Sequence, residues 1–218
     1  MLALTALAFV SPARAASIDS QFHSPFLADG TLPREVLILP DDSFVAFGDF
    51  DRYNRENHGP VVKFKPDGTR DPSFRMAGLY FHVTAAALTP EGKLYVAALE
   101  QDKLGRRTRV LRLNSDGSLD TEFDAGSGTN GTVYAMTVQQ DGKLIVGGVF
   151  TRFNEEVRAF IVRLNTDGSL DPGFAAVTFS GSGVTSNIII QPDKKILFAG
   201  SFLQVNNTSC YTVARLHP

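Results

Sequence analysis

The densest group of reactive side chains lies in FGDFDRYNRENHG, where Asp49, Asp51, Arg52, Tyr53, Arg55 and His58 crowd into one short stretch. Two carboxylates can do general acid/base work on a glycosidic bond if they face a common groove about 5–9.5 Å apart. Mixed charge beside an aromatic also suits the binding of a sugar or peptide. The competing reading is a solvated hairpin loop.

A second set of charges is periodic. Lys63, Arg112, Arg163 and Arg215 recur at one place in the chain's rhythm, and Asp19, Asp71, Asp120 and Asp171 at another. A ring of charge around a channel is one reading. The other is a structural pair repeated once per unit, and periodicity favours it, since a ligand site is seldom needed four times. The pattern Asn-x-Asp-Gly-x-x-Asp, as at Asn165 to Asp171, resembles part of a calcium loop. It lacks the alternating acids and the terminal Glu of such a loop, and Asn and Asp favour turns on their own account. No metal site and no cofactor are expected, with calcium the minor alternative.

Nucleophile elbows, zinc-protease motifs, Cys-x-x-Cys pairs and phosphate loops are all absent from the chain. His23, His58, His82 and His217 fall at unrelated places. Lys103, Arg106, Arg107 and Arg109 form a local basic patch, read as a solvated loop. GSGTNG, residues 126–131, reads as a flexible connection. Asn206 and Asn207 begin glycosylation sequons, which matter only in a host that uses them.

These residues are positioned by a repeat. LNSDGSLDTEF at residues 113–123 returns as LNTDGSLDPGF at 164–174. The Asp-Gly turns at Asp67, Asp116 and Asp167 are 49 and 51 residues apart. A Phe follows each recurring Asp by three positions: Phe22, Phe74, Phe123, Phe174. A second signature, LPDDSFVAFG, TPEGKLYVAA, QQDGKLIVGG and QPDKKILFAG, keeps the same period. Four units result, at about 18–68, 69–117, 118–168 and 169–218.

Each unit spells antiparallel strands. Asp-Gly between apolar runs makes a tight hairpin turn. Val133, Ala135 and Thr137 alternate, whereas Leu144-Ile145-Val146 is a continuous run, as in a strand buried on both faces. Gly147 and Gly148 allow close backbone approach. FIVRL, residues 160–164, adds a third strand. A unit of three or four strands cannot hide both faces, so it must stack on its copies. The fold class is all-β: a β-propeller of four antiparallel blades of about fifty residues, either a closed four-bladed ring or part of a larger one.

QQDGKLIVGGVFTRFN followed by FIVRLNTDGSLDPGF resembles the delta-60 repeat, a propeller-type repeat of secreted bacterial proteins. The resemblance covers residues 17–218 and weakens in the second unit, at YVAALEQDKLGRR. It implies an exported propeller or scaffold and no particular activity. Three assemblies follow: a complete ring, half of a ring made by a homodimer, or a fragment of a longer protein.

Composition agrees. The chain has 218 residues, 19 Gly, 11 Pro, 17 Phe and no Trp. Its net charge of −2 provides no field for nucleic acid or anionic lipid. Cys210 is the single cysteine and forms no intrachain disulfide. Residues 1–15 read as a signal peptide, with Leu2 to Val10 as its apolar run and Ala13-Arg14-Ala15 as its cleavage site. No stretch is long enough to span a membrane. The expected role is a secreted, periplasmic or surface-exposed binding, display or scaffold module with a glycan or protein ligand. The alternatives are a propeller enzyme acting on polysaccharide and a purely structural repeat segment.

Overall fold

The computed structural model describes residues 17–23, 33–48, 50, 52–53, 56–57, 59–76, 82–102 and 105–218. Among them there are strands and turns and no helix. The first sheet contains β1 (Pro33–Ile38), β2 (Phe44–Gly48) and β5 (Val61–Phe64), with a small hairpin, β3 (Arg52–Tyr53) and β4 (Glu56–Asn57), between the last two. The second is β6 (His82–Leu88), β7 (Leu94–Asp102) and β8 (Gly105–Leu113). The third is β9 (Thr132–Val138), β10 (Leu144–Val149) and β13 (Ile161–Leu164), interrupted by the hairpin β11 (Arg152–Phe153) and β12 (Glu156–Val157). After β14 (Phe179–Ser180) comes the fourth sheet, β15 (Val184–Ile190), β16 (Ile196–Ser201) and β19 (Val213–Leu216), with β17 (Gln204–Val205) and β18 (Thr208–Ser209) as its small hairpin.

Every pairing is antiparallel and the register repeats. Leu144 stands opposite Val138 on one side and Leu164 on the other. The first turn of each sheet is longer than two residues: Gly142 N donates to Gln139 O, and Gln139 N to Lys143 O. Positive φ falls on the Gly alone, at +82° for both Gly92 and Gly142. Asp42 and Lys194 take the same conformation in the outer sheets, at +62° and +66°.

The sheets stack face to face in chain order, and each interface has its own core. A central strand has period two, so its alternate side chains enter different cores. Leu144 and Val146 pack towards the second sheet with Tyr95 and Val110, while Ile145 packs towards the fourth with Ile188, Ile196 and Phe198. This is why the central run is continuously apolar. The recurring Phe fills the interface with the following sheet: Phe74 joins the first core, Phe123 the second and Phe174 the third.

The Asp-Gly turns lock neighbouring sheets together. A Cβ on Gly168 (φ +96°) would lie 2.5 Å from the backbone carbon of Asp124, and one on Gly117 (φ +84°) 2.8 Å from that of Arg75. The turn thus needs Gly twice, for its left-handed φ and for the approach of the segment that leaves the preceding sheet. Arg75 N donates to Asp116 O and Asp124 N to Asp167 O across these contacts. Among the described residues, no backbone hydrogen bond joins the first sheet to the fourth.

Candidate functional site

The periodic charges lie at the interfaces. Arg112 Nε donates to Asp120 Oδ2 at 2.7 Å, and Arg163 Nε to Asp171 Oδ2 at 2.7 Å. Lys63 Nζ stands 3.7 Å from Asp71 Oδ2. A lysine from the first turn completes two of these clusters: Lys93 Nζ donates to Asp120 and Lys143 Nζ to Asp171, each at 2.7 Å. Sequence reasoning passed over these lysines, although Lys93, Lys143 and Lys195 recur with the repeat. Partial burial acts to raise the Asp120 and Asp171 carboxyls. The bonds from lysine, backbone amide and arginine outweigh it and hold both at about 2, below the ordinary 3.8.

The same guanidinium groups cover the recurring aromatics. Arg112 lies 5.1 Å from the Phe123 centroid and Arg163 lies 5.0 Å from that of Phe174. Arg112 Nη1 also donates to Thr166 O in the next sheet, at 2.6 Å. The arrangement ties the third strand, the following turn and the neighbouring sheet together. Arg215 and Asp19 make no such pair among the described residues: Arg215 Nη1 contacts Gln191 Oε1 at 3.5 Å, and Asp19 Oδ1 accepts from Gln21 N at 2.9 Å.

Of the clustered acids and bases in the first unit, Asp49, Asp51, Arg55 and His58 lie outside the described residues. Arg52 and Tyr53 belong to β3 by backbone, and their side chains also lie outside the described set. So do residues 1–15. The Asp-Gly turns engage their own acids: Asp167 Oδ1 accepts from Ser169 N and Oγ, and Asp116 Oδ1 does the same with Ser118. Among the described residues, no group of three or more His, Cys, Asp or Glu is placed to hold a metal ion.

A different place gathers polar groups from two units. The second unit's basic stretch, read from sequence as a solvated loop, is a strand. β7 and β8 pair out to Asp102 and Gly105, which puts Arg106, Arg107 and Arg109 on β8. The inner half of β8 is buried on both faces, Val110 in the core with the third sheet and Leu111 and Leu113 in the core with the first, while Arg106 at the hairpin tip stays exposed. The Gly-rich connection beside it is fixed. Thr129 exchanges backbone hydrogen bonds with Thr108 of β8 and bridges to Phe153 of β11. Asn154 Oδ1 accepts from Gly128 N at 2.9 Å, and Asn130 Oδ1 accepts from the amides of Thr151 and Arg152.

Between these elements lies a polar depression of about 310 Å³, lined by Arg106, Arg107, Arg152, Ser127, Asn130 and Glu155 among others. Among the described lining residues, three carry guanidinium groups and one a carboxylate. Arg152 Nη1 donates to Glu155 O at 2.7 Å, which holds that guanidinium in place. The depression suits an anion that accepts planar, forked hydrogen bonds.

Stacked antiparallel sheets with a repeated inter-sheet joint define a β-propeller-type repeat protein. The chain belongs to the β-propeller family described as domain of unknown function 5122, whose model matches residues 39–74, 89–123, 139–174 and 191–218. No curated protein sequence matches the chain. Among solved structures it is similar to a streptogramin B lyase, with 12% identity and a TM-score of 0.50 over 83% of this chain and 53% of that one. A gluconolactonase from Xanthomonas campestris is similar at 18% identity and a TM-score of 0.49, over 77% of this chain and 54% of that one. A calcium-binding regucalcin from Agrobacterium tumefaciens is similar at 14% identity and a TM-score of 0.47, over 77% and 52%. The chain thus spans about half the length of these proteins, and at such identities the likeness concerns the fold alone.

Proposed function

We propose that the protein is an exported, non-catalytic propeller module that binds an acidic oligosaccharide at the depression between its second and third blades. The carrying observation is the convergence of Arg106, Arg107 and Arg152 from two blades onto one polar hollow. Ser127, Thr129 and Asn130 surround it with small polar groups, and no aromatic or aliphatic anchor of the kind that dominates protein interfaces lines it. The recurring Arg, Lys and Asp residues already serve the inter-blade joints, which supports a structural role for them. The leader-like residues 1–15 and the resemblance to repeats of secreted bacterial proteins support export. The reading requires no cofactor.

Calorimetric titration with uronic-acid and sulfated oligosaccharides, against neutral ones of equal length, tests this. The acidic ligands bind, the neutral ones do not, and affinity falls with salt. Arg107→Ala with Arg152→Ala lowers affinity about tenfold or more, the size expected for losing charge-assisted bonds, and the variant still unfolds in one cooperative thermal transition. Equal binding of neutral ligands, or turnover abolished by one substitution, would sink the proposal.

A further inference from the structure

The parts of a fourth inter-blade joint are present at opposite ends of the blade stack. In the formed joints an acid ties the third strand and a Phe enters the next core, and in two of the three the amide after the Phe donates to the next blade's turn. Residues 17–23 carry the donor half. Phe22 stacks on Phe44 of the first blade at 5.9 Å, and His23 N donates to Asp67 O at 2.7 Å, as Asp124 N does to Asp167 O. Asp19 takes the place of Asp120 and Asp171 and makes no ion pair among the described residues.

The fourth blade carries the receiving half. Arg215 stands opposite Leu197 as Arg163 stands opposite Ile145. Lys195, the counterpart of Lys143, turns back to Asp193 at 2.8 Å. Val213 is 50% exposed where its counterpart Ile161 is 1% exposed. On the first blade, Val36 and Ile38 are 47% and 71% exposed, whereas Met136, the counterpart of Val36, is 9% exposed. A cavity of about 570 Å³ borders β19, lined by Phe174, Val177, Cys210, Val213, Arg215 and His217 among others. Two cations and an apolar face thus stand at one end, and a carboxylate, a phenyl ring and an apolar face at the other.

We propose that the fourth blade of one copy receives residues 17–23 and the first blade of a second copy, head to tail. Asp19 enters between Arg215 and Lys195 of the other copy, and Phe22 lies against that Arg215 guanidinium. Val36 and Ile38 cover Val213 and Ile189. The contact continues an interface the molecule already builds three times. It is heterologous, so it closes into a ring or extends as a filament according to its rotation.

Light scattering on the full chain across the micromolar range tests this. The wild-type mass rises above that of one chain with concentration. Asp19→Arg and Arg215→Asp each hold the mass at one chain. An equal mixture of the two variants regains the wild-type assembly, because their reversed charges complement each other at both contacts. Arg215→Lys still assembles, as Lys63 serves Asp71 in the first unit. Ile38→Lys, at an exposed position away from the ion pair, also blocks assembly. A wild-type mass of one chain at every concentration, reversed variants that assemble alone, or a mixture that stays monomeric overturns the proposal.

Discussion

Asp120 and Asp171 each accept from a lysine, an arginine and a backbone amide, and this saturation decides their chemistry. Their native carboxyls titrate near 2, below the value of about 3.9 expected for an unfolded chain. A carboxyl whose native pKa is depressed stabilises the fold above its unfolded pKa. That stability is lost as pH falls through the native value. Denaturant midpoints therefore hold steady above about pH 5 and fall steeply from about pH 4 to pH 2, following these two pKa values. Asp171→Asn lowers the midpoint at neutral pH and flattens the fall below pH 4. A variant with the wild-type acid slope would show that Asp171 is not a source of the linkage. The lysine partners were visible in sequence as a recurring letter. Their target was not, because Lys143 and Asp171 are 28 residues apart and meet only when the turn folds back on its own sheet.

At the scale of elements, the two glycine turns of each middle unit look alike in sequence and differ in what surrounds them. Gly92 has φ +82° and open space where a Cβ would sit. Gly168 has φ +96°, with the backbone of Asp124 2.5 Å from that position. Gly92→Ala then costs the left-handed conformation alone, about 1–2 kcal/mol. Gly168→Ala costs that and also displaces the segment that leaves the preceding sheet, so its loss by urea denaturation is the larger of the two. Equal losses would mean that the second turn is not a lock between sheets. The positive φ of both turns followed from Glu91-Gly92 and Asp167-Gly168 in the sequence. The second use of Gly168 did not, since close approach depends on how far apart the stacked sheets sit.

At the scale of the whole molecule, stability is distributed over interfaces rather than gathered in one core. Phe123 is buried against Tyr95 in a T-shaped contact 5.1 Å between centroids, within the core of the second interface. Phe22 occupies the same place in its motif and is exposed. Phe123→Ala therefore costs about 3–5 kcal/mol, and Phe22→Ala changes monomer stability far less, as chemical denaturation at low protein concentration reads. Comparable losses would place Phe22 in a formed core within one copy.

The sequence by itself determined the all-β class, the fifty-residue unit, the turn residues, the central strands and the aromatic that each unit sends into its neighbour. These features depend on contacts close in the chain or on a period repeated along it, and local physics writes them directly into residue type and spacing. The tertiary structure alone decided which lysine joins each Arg–Asp pair, that the basic stretch of the second unit is a strand, and that Arg106, Arg107 and Arg152 line one hollow across two blades. It also decided that Arg112, Asp120, Arg163 and Asp171 are buried while Asp19 and Arg215 are not joined. Each depends on contacts between segments distant in the chain, within a folded sheet or between stacked ones. Such contacts are settled when the chain folds back and the faces pack, and residue spacing alone does not name the partners.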